Sequence, residues 1–198
     1  WAEIPTVNQV KYTDEFYENT KTILIEMIRQ AYNHSAIFAW GLGNELGVVQ
    51  LRNPAKMIRK FHKVAKEEDP YRLTTLAAVG MATFRKKLNN STDILAVNTY
   101  PGWYYNHAEA MKKKIKKWIK CSNGRGLGIS EYGAGAGITQ HDMDPDPKGG
   151  TRLAFGDWHP EEHQSNLHEI AFKHITSFPQ VWGSFVWNMF DFSVPARE

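Results

Sequence analysis

The chain has 198 residues, of which 42% are hydrophobic and 23% charged, so it can bury a sizeable core and a disordered protein is excluded. Its 24 basic residues nearly balance 21 acidic ones, and the charges form no block that would indicate a nucleic-acid partner. No stretch approaches the roughly 20 apolar residues of a membrane span. The single cysteine, Cys121, excludes an internal disulfide. We expect one globular domain over residues 1–198, with neither a nucleic acid nor a membrane as its partner.

Helical and strand-like patterns alternate along the chain. Apolar residues from Tyr12 to Tyr32 recur at helical spacing, and a short buried strand is predicted to follow them. The opening residues WAEIP are typical of the end of a strand, and without a leader pattern they indicate a processed or internal start. Asn53 and Pro54 are suited to the N-cap and first position of a later helix. The predicted strands are 36–42, 73–79, 94–100, 127–132 and 181–190, and the later helices are 54–69, 108–120 and 160–175.

Five apolar runs separated by helices predict consecutive βα units and a parallel sheet of the α/β class. Both an open doubly wound sheet and a closed barrel fit this pattern. Polar residues at the carboxyl ends of the strands favour the barrel, because those ends converge on one mouth. These residues are Asn44, Glu45, Asn98, Tyr100, Glu131, Asn188 and Asp191. We therefore predict a (β/α)8 TIM barrel that is incomplete in this chain, covering about strands 3 to 8.

Two of these residues are glutamates that end separate strands. Glu45 closes NHSAIFAWGLGNE, and Glu131 lies in GISEYG. A pair of carboxylates at one barrel mouth is what glycoside cleavage requires, since one protonates the leaving oxygen and the other attacks the anomeric carbon or activates water. Either glutamate alone is equally typical of an ordinary exposed strand end. Together they favour a catalytic pair.

The segments NHSAIFAWGLGNE, VNTYPGWYY, ISEYG and WGSFVWNMFDF resemble, in this order, four strand ends of glycoside hydrolase family 2, especially its bacterial β-galactosidases. The resemblance covers the whole chain. It implies that Glu45 is the general acid/base and Glu131 the nucleophile of a retaining enzyme, with carboxyl groups about 5 to 5.5 Å apart. Asn44 would then bind the sugar 2-hydroxyl, although an asparagine at this position is also suited to capping the following turn.

The resemblance assigns further residues to the substrate. Tyr100 matches a tyrosine that hydrogen-bonds the nucleophile, and Asn98 matches a position near the sugar. Trp187 matches a platform for the pyranose ring, and we predict that the following peptide to Asn188 is cis, as in related enzymes. We place Trp103 at the pocket wall, although a tryptophan beside Pro-Gly is as typical of a packed loop.

Weaker predictions concern the segment after the nucleophile strand and the ions. His141 is a candidate sugar contact, and a solvated loop histidine is the alternative. Asp142, Asp144 and Asp146 alternate as in a calcium loop but lack its glycine and distal glutamate, which favours a solvated loop. We predict no metal site and no required cofactor. Magnesium or sodium is suggested by family likeness only.

The resemblance leads to a specific functional prediction, the hydrolysis of terminal β-D-galactosides by double displacement. A β-glucuronidase of the same family is the first alternative, because VNTYPGWYY also resembles that branch. A non-catalytic carbohydrate-binding barrel fragment is the second, because the first two to three barrel strands and the usual accessory domains are not in the sequence. The expected partners are a carbohydrate substrate and further domains of a longer chain. Family likeness suggests a periplasmic or secreted bacterial setting and leaves the compartment open.

Overall fold

A computed structural model describes residues 1–47, 54–79, 86–150, 154–190 and 192, and the chain divides into two compact units, Trp1–Val97 and Asn98–Glu198. Strands and helices alternate throughout the described residues. The strands are β1 (Ala2–Glu3), β2 (Ala39–Asn44), β3 (Leu73–Val79), β4 (Leu95–Asn98), β5 (Leu127–Tyr132) and β6 (Val181–Val186). The helices are α1 (Asp14–Ala31), α2 (Ala55–Glu68), α3 (Lys86–Asn89), α4 (Met111–Cys121) and α5 (Glu161–Thr176), with a 3-10 turn at Ala108–Ala110.

The predicted strands at 73–79 and 127–132 have the observed bounds, and the other three are shorter than predicted. Strand β2 begins at Ala39, because the N–H of Ile37 donates to the carbonyl of His34 at 3.1 Å and holds that segment in a turn. Strand β6 ends at Val186. Pro54 directly precedes α2 as predicted, Asn53 lies outside the described residues, and α3 was not predicted.

In the first unit the strands lie in chain order, and β2 pairs in parallel with both β1 and β3. Helix α1 begins where the Thr13 side chain accepts a hydrogen bond from the N–H of Phe16 at 3.2 Å, which satisfies a helix-end donor. Stacked rings of Tyr17 and Phe61, 5.6 Å apart, join α1 to α2. The largest fully buried side chains of this unit are Ile4, Leu24, Ile28, Trp40, Leu42, Ile58, Phe61, Leu76, Leu88 and Leu95.

A buried polar network lies between α2 and β3. The Asp69 carboxylate accepts from the indole N–H of Trp40 at 3.0 Å and from the Arg72 guanidinium at 2.8 Å. Burial would raise the pKa of Asp69, but the bonds from Arg72, Trp40 and the Tyr71 N–H outweigh it and hold this pKa below its ordinary value. Asp69 therefore stays ionised in the core of this unit.

In the second unit β5 pairs in parallel with β6, and α4 and α5 pack beside the 3-10 turn. Gly128 gives space to the Trp182 ring of β6, since an added Cβ would lie 2.2 Å from its Cζ2. Helix α4 buries Met111, Ile115 and Trp118, the apolar face that the sequence shows. None of the helices in the described residues is both long and apolar enough to cross a membrane.

Candidate active site

Glu45 follows the last residue of β2 in a backbone conformation that is unusual for glutamate. Its φ of 51° is left-handed, whereas the other non-glycine residues with positive φ in the described ranges are all asparagines. Asparagine tolerates this region, but for other residues it costs on the order of 1 to 3 kcal/mol, and such residues cluster at active sites. The N–H of Glu45 donates to the carbonyl of Ala77 at 2.8 Å, which anchors the strained residue to β3.

Asn44, the last residue of β2, is bound through its backbone on the other side. Its N–H donates to the carbonyl of Thr6 at 2.8 Å, and its carbonyl accepts from the N–H of Asn8 at 3.0 Å. Both Asn44 and Glu45 are partly exposed. The backbone of Asn44 and Glu45, where the acid/base is predicted, is thus fixed by the segment after β1 and by β3.

Glu131, the predicted nucleophile, is the next-to-last residue of β5 and is partly exposed. The phenolic hydroxyl of Tyr100 donates to Oε2 of Glu131 at 2.5 Å, so the contact implied for this tyrosine is present. The N–H of Thr99 donates to the Glu131 carbonyl at 2.9 Å, which joins the end of β4 to β5. Both the carboxylate and the backbone of Glu131 are therefore held from the segment that follows β4.

Tyr100 is itself held by Tyr105. The N–H of Tyr100 donates to Oη of Tyr105 at 3.1 Å, and Oη of Tyr105 also lies 3.0 Å from Oγ1 of Thr99. The Tyr104 ring packs edge-on against Tyr100 with centroids 5.3 Å apart. Since these bonds and ring contacts all act on Tyr100, its hydroxyl is fixed relative to Glu131.

Asn98, the last residue of β4, is buried beneath this site. The hydroxyl of Ser130 donates to Oδ1 of Asn98 at 2.6 Å. With Oδ1 engaged there, the rotation of the Asn98 amide is fixed and its NH₂ group is oriented. Sequence reasoning singled out Asn98 but missed Ser130, although Ser130 directly precedes the predicted nucleophile.

Trp187 follows β6, and its N–H donates to the carbonyl of Tyr132 at 2.9 Å. This bond places Trp187 beside Tyr132, the residue that follows Glu131. The Trp187–Asn188 peptide is cis, which confirms the prediction made for that bond. The Trp187 side chain is half exposed, and its role as a sugar platform remains a prediction.

Two predicted sugar contacts, Trp103 and His141, have partners within the protein. Trp103 is only 3% exposed, which agrees with the alternative of a packed loop. It lies in a core cluster with Ala108, Ala134, Ala154 and Leu167. His141 is a loop residue whose Nδ1 lies 3.1 Å from Oε1 of Glu162, in the first turn of α5. A direct sugar contact of Trp103 or His141 remains a prediction.

The alternating aspartates of the same loop bind backbone groups instead of forming a ligand shell. Asp142 accepts from the N–H of Asp144 at 3.0 Å, and Asp146 accepts from the N–H of Lys148 at 2.9 Å. Across the described ranges, no group of three or more His, Cys, Asp or Glu side chains is arranged to hold a metal ion.

Successive βα units with candidate acid and nucleophile residues at the carboxyl ends of parallel strands define the chain as part of a TIM-barrel domain of the glycosidase type. Residues 4–148 match the family described as glycosyl hydrolases family 2, TIM barrel domain. The chain belongs to this family, as the sequence predicted. The fold is therefore an incomplete TIM barrel, as predicted.

Relatives and solved structures extend this result. A Bacteroides fragilis β-glucuronidase is 42% identical over 205 aligned positions, covering 100% of this chain and 28% of that protein. A Streptococcus agalactiae β-glucuronidase is 26% identical, covering 84% of this chain and 27% of that protein. The chain thus spans little more than a quarter of the length of these two relatives.

Two solved structures match nearly the whole chain. A Bacteroides fragilis protein named a candidate β-galactosidase superposes with a TM-score of 0.84 at 34% identity, covering 99% of this chain and 28% of that one. An FMN-binding β-glucuronidase from Faecalibacterium prausnitzii superposes with a TM-score of 0.89 at 33% identity, covering 100% and 30%. Both similarities support the barrel fold, while the names of the two proteins differ in the sugar.

Proposed function

We propose that this chain forms the catalytic portion of a retaining β-glycosidase, with Glu131 as nucleophile and Glu45 as general acid/base. The observation that carries the proposal is the 2.5 Å hydrogen bond from Tyr100 to Glu131. A charge-assisted bond of this kind favours the ionised carboxylate and fixes its orientation, which a nucleophile requires. The left-handed backbone of Glu45 supports its assignment as the second catalytic residue.

The proposed reaction proceeds in two displacements. In the first, the Glu131 carboxylate forms a bond to the anomeric carbon while the glycosidic C–O bond breaks, and Glu45 donates its proton to the departing oxygen. In the second, Glu45 takes a proton from water, whose oxygen attacks the same carbon and releases Glu131. The sugar leaves with its original anomeric configuration.

The sugar specificity rests on the relatives. The sequence predicted terminal β-D-galactosides, and one similar structure carries that name as a candidate. The relative at 42% identity and a similar structure at 33% identity are both named β-glucuronidases. We therefore propose terminal β-D-glucuronides as the first substrate class and β-D-galactosides as the second. Because this chain covers only 28% and 27% of the two β-glucuronidase relatives, we also propose that further domains of a longer chain complete the enzyme.

The test uses the full-length protein with p-nitrophenyl β-D-glucuronide and β-D-galactoside. Glu131→Ala should abolish release of nitrophenol, while Glu169→Ala, which removes an exposed carboxylate of α5, should leave it unchanged. Proton NMR of the first sugar product should show the β-anomer. Activity with the galactoside alone would reverse the order of the two substrates. A folded full-length protein without activity on any β-glycoside would favour the carbohydrate-binding alternative.

The role of Glu45 is tested separately. In Glu45→Ala an activated aryl glycoside can still form the glycosyl-enzyme, but water lacks its base, so turnover should fall by roughly 100-fold or more. Azide needs no base and should restore turnover, yielding a β-glycosyl azide. An α-glycosyl azide, or no rescue together with full activity of the variant, would contradict the assignment.

A further inference from the structure

The backbone directly after the predicted nucleophile strand is held by two side chains of α5. The N–H of Ala134 donates to Nε2 of His168 at 3.3 Å, and the carbonyl of Ala134 accepts from Nε2 of Gln164 at 2.8 Å. Gln164 and His168 are four residues apart, so they project from the same face of the helix. The backbone N–H and carbonyl of Ala134, three positions after Glu131, are thereby both fixed by a single helix.

The space beside Gly133, the residue before Ala134, is also restricted. An added Cβ on Gly133 would lie 2.9 Å from the carbonyl oxygen of Trp187 and 3.0 Å from Nε2 of His168. Gly133 has a φ of 143°, a conformation that side chains rarely adopt. The chain after Tyr132 therefore passes closely between the end of β6 and His168, and little room remains for it to shift.

We propose that Gln164 and His168 form a clamp that positions the nucleophile segment Glu131–Ala134, and this inference rests on the proposed function. Neither residue is assigned a contact with the substrate, so both are positioning residues. The clamp acts through the backbone. The carbonyl of Tyr132 accepts a hydrogen bond from the N–H of Trp187, and the chain continues from Tyr132 through one glycine to Ala134. A displacement of Ala134 would move Glu131 away from Tyr100, and nucleophilic attack requires accurate placement of the reacting atoms.

The clamp requires His168 in its neutral form, because a protonated Nε2 is a donor and cannot accept from Ala134. Burial lowers the pKa of His168, and the neighbouring His163 of α5 lowers it further. From β5 the Tyr132 ring faces His168 with centroids 6.2 Å apart, and burial raises the pKa of this tyrosine, so it stays uncharged. The end of β6 contributes the backbone carbonyl of Trp187. Acidification below the pKa of His168 should therefore open the clamp.

The experiment combines kinetics with hydrogen–deuterium exchange of the full-length protein. His168→Phe keeps a ring but removes the acceptor, and His168→Gln offers an acceptor that does not titrate. In His168→Phe, kcat should fall about tenfold with KM changed less than twofold, and peptides covering residues 132–137 should exchange about tenfold faster. His168→Gln should restore most of kcat and should retain a larger fraction of its pH 7 rate at pH 5 than the unmodified protein.

Gln164→Glu provides a second variant that does not depend on the folding of His168→Phe. It places a carboxylate against the Ala134 carbonyl and should also accelerate exchange and lower kcat. Glu169→Gln, on the exposed side of α5, is the control and should change neither. Unchanged exchange in both clamp variants, or identical pH profiles for His168→Gln and the unmodified protein, would overturn the proposal. An inactive unmodified protein whose exchange still responds to His168→Phe would refute the proposed function and retain the clamp.

Discussion

The hydroxyl of Tyr100 reaches Oε2 of Glu131 across 2.5 Å, and this contact connects the segment after β4 with the end of β5. In Tyr100→Phe the ring is kept and the donor is lost. Because hydrogen bonds to charged groups contribute about 1.5 to 3 kcal/mol, we expect kcat to fall by roughly 10- to 100-fold. Steady-state kinetics of the full-length protein with its best nitrophenyl glycoside measures this change.

Tyr71→Phe is the matched control, because it removes the same hydroxyl from a tyrosine that is 84% exposed in the first unit. It should leave kcat within twofold. Equal kcat values for Tyr100→Phe and the unmodified protein would show that the hydrogen bond does not serve catalysis.

Ser130→Ala tests the contact that orients Asn98. Without the hydroxyl, the buried Oδ1 of Asn98 loses its 2.6 Å partner and the amide gains freedom to rotate. We expect kcat/KM to fall about tenfold, which corresponds to about 1.4 kcal/mol, a usual cost of a lost buried hydrogen bond. Ser165→Ala, an exposed serine of α5, is the control. If both variants keep the original kcat/KM, the orientation of Asn98 by Ser130 does not serve catalysis.

Gly128→Ala tests the packing of β5 against β6. The added methyl would lie 2.2 Å from Cζ2 of Trp182, so the ring or the strand must move. Overpacking of this kind costs about 1 to 3 kcal/mol, and the melting temperature of the full-length protein should decrease in calorimetry. Gly183→Ala is the control in the neighbouring strand, since a Cβ there meets no atom within 4 Å. An equal decrease for both variants would contradict this explanation.

Asp69→Asn tests the buried network of the first unit. The variant leaves Arg72 without its anionic partner, and we expect a loss of about 3 kcal/mol near neutral pH. The pKa of Asp69 is lowered in the folded protein, so its contribution is fully present above the ordinary aspartate value of 3.8 and is lost as pH falls through the folded value.

Thermal unfolding at pH 7 and below pH 4 separates this electrostatic contribution from general damage. The difference between Asp69→Asn and the unmodified protein should become smaller as the medium is acidified through that range. Glu67→Gln, which alters an exposed ion pair with Lys63 at 3.8 Å, should have little effect at either pH. A difference that does not depend on pH would rule out the charge of Asp69 as its source.

The sequence was sufficient to predict the alternation of strands and helices, because hydrophobic periodicity follows directly from side-chain burial. Strands 73–79 and 127–132 have the predicted bounds. The positions of Glu45 and Glu131 at the ends of their strands, and the family, were also predicted, since strand ends and short motifs are local features. Helix α3 was missed because four residues are too few to show a helical period.

The contacts around Glu131 were decided by the tertiary structure. Ser130 lies within ISEYG, but that motif does not reveal its bond to Asn98. Gln164 and His168 lie in no motif, and their hydrogen bonds join residues 30 and 34 positions apart in the sequence. Trp103 had two equally plausible roles in the sequence, and only the packing of α5 and of the loop between β5 and α5 shows it in a core. A local pattern identifies which chemical groups a strand presents, whereas the partners that orient them come from distant segments and depend on how the chain packs.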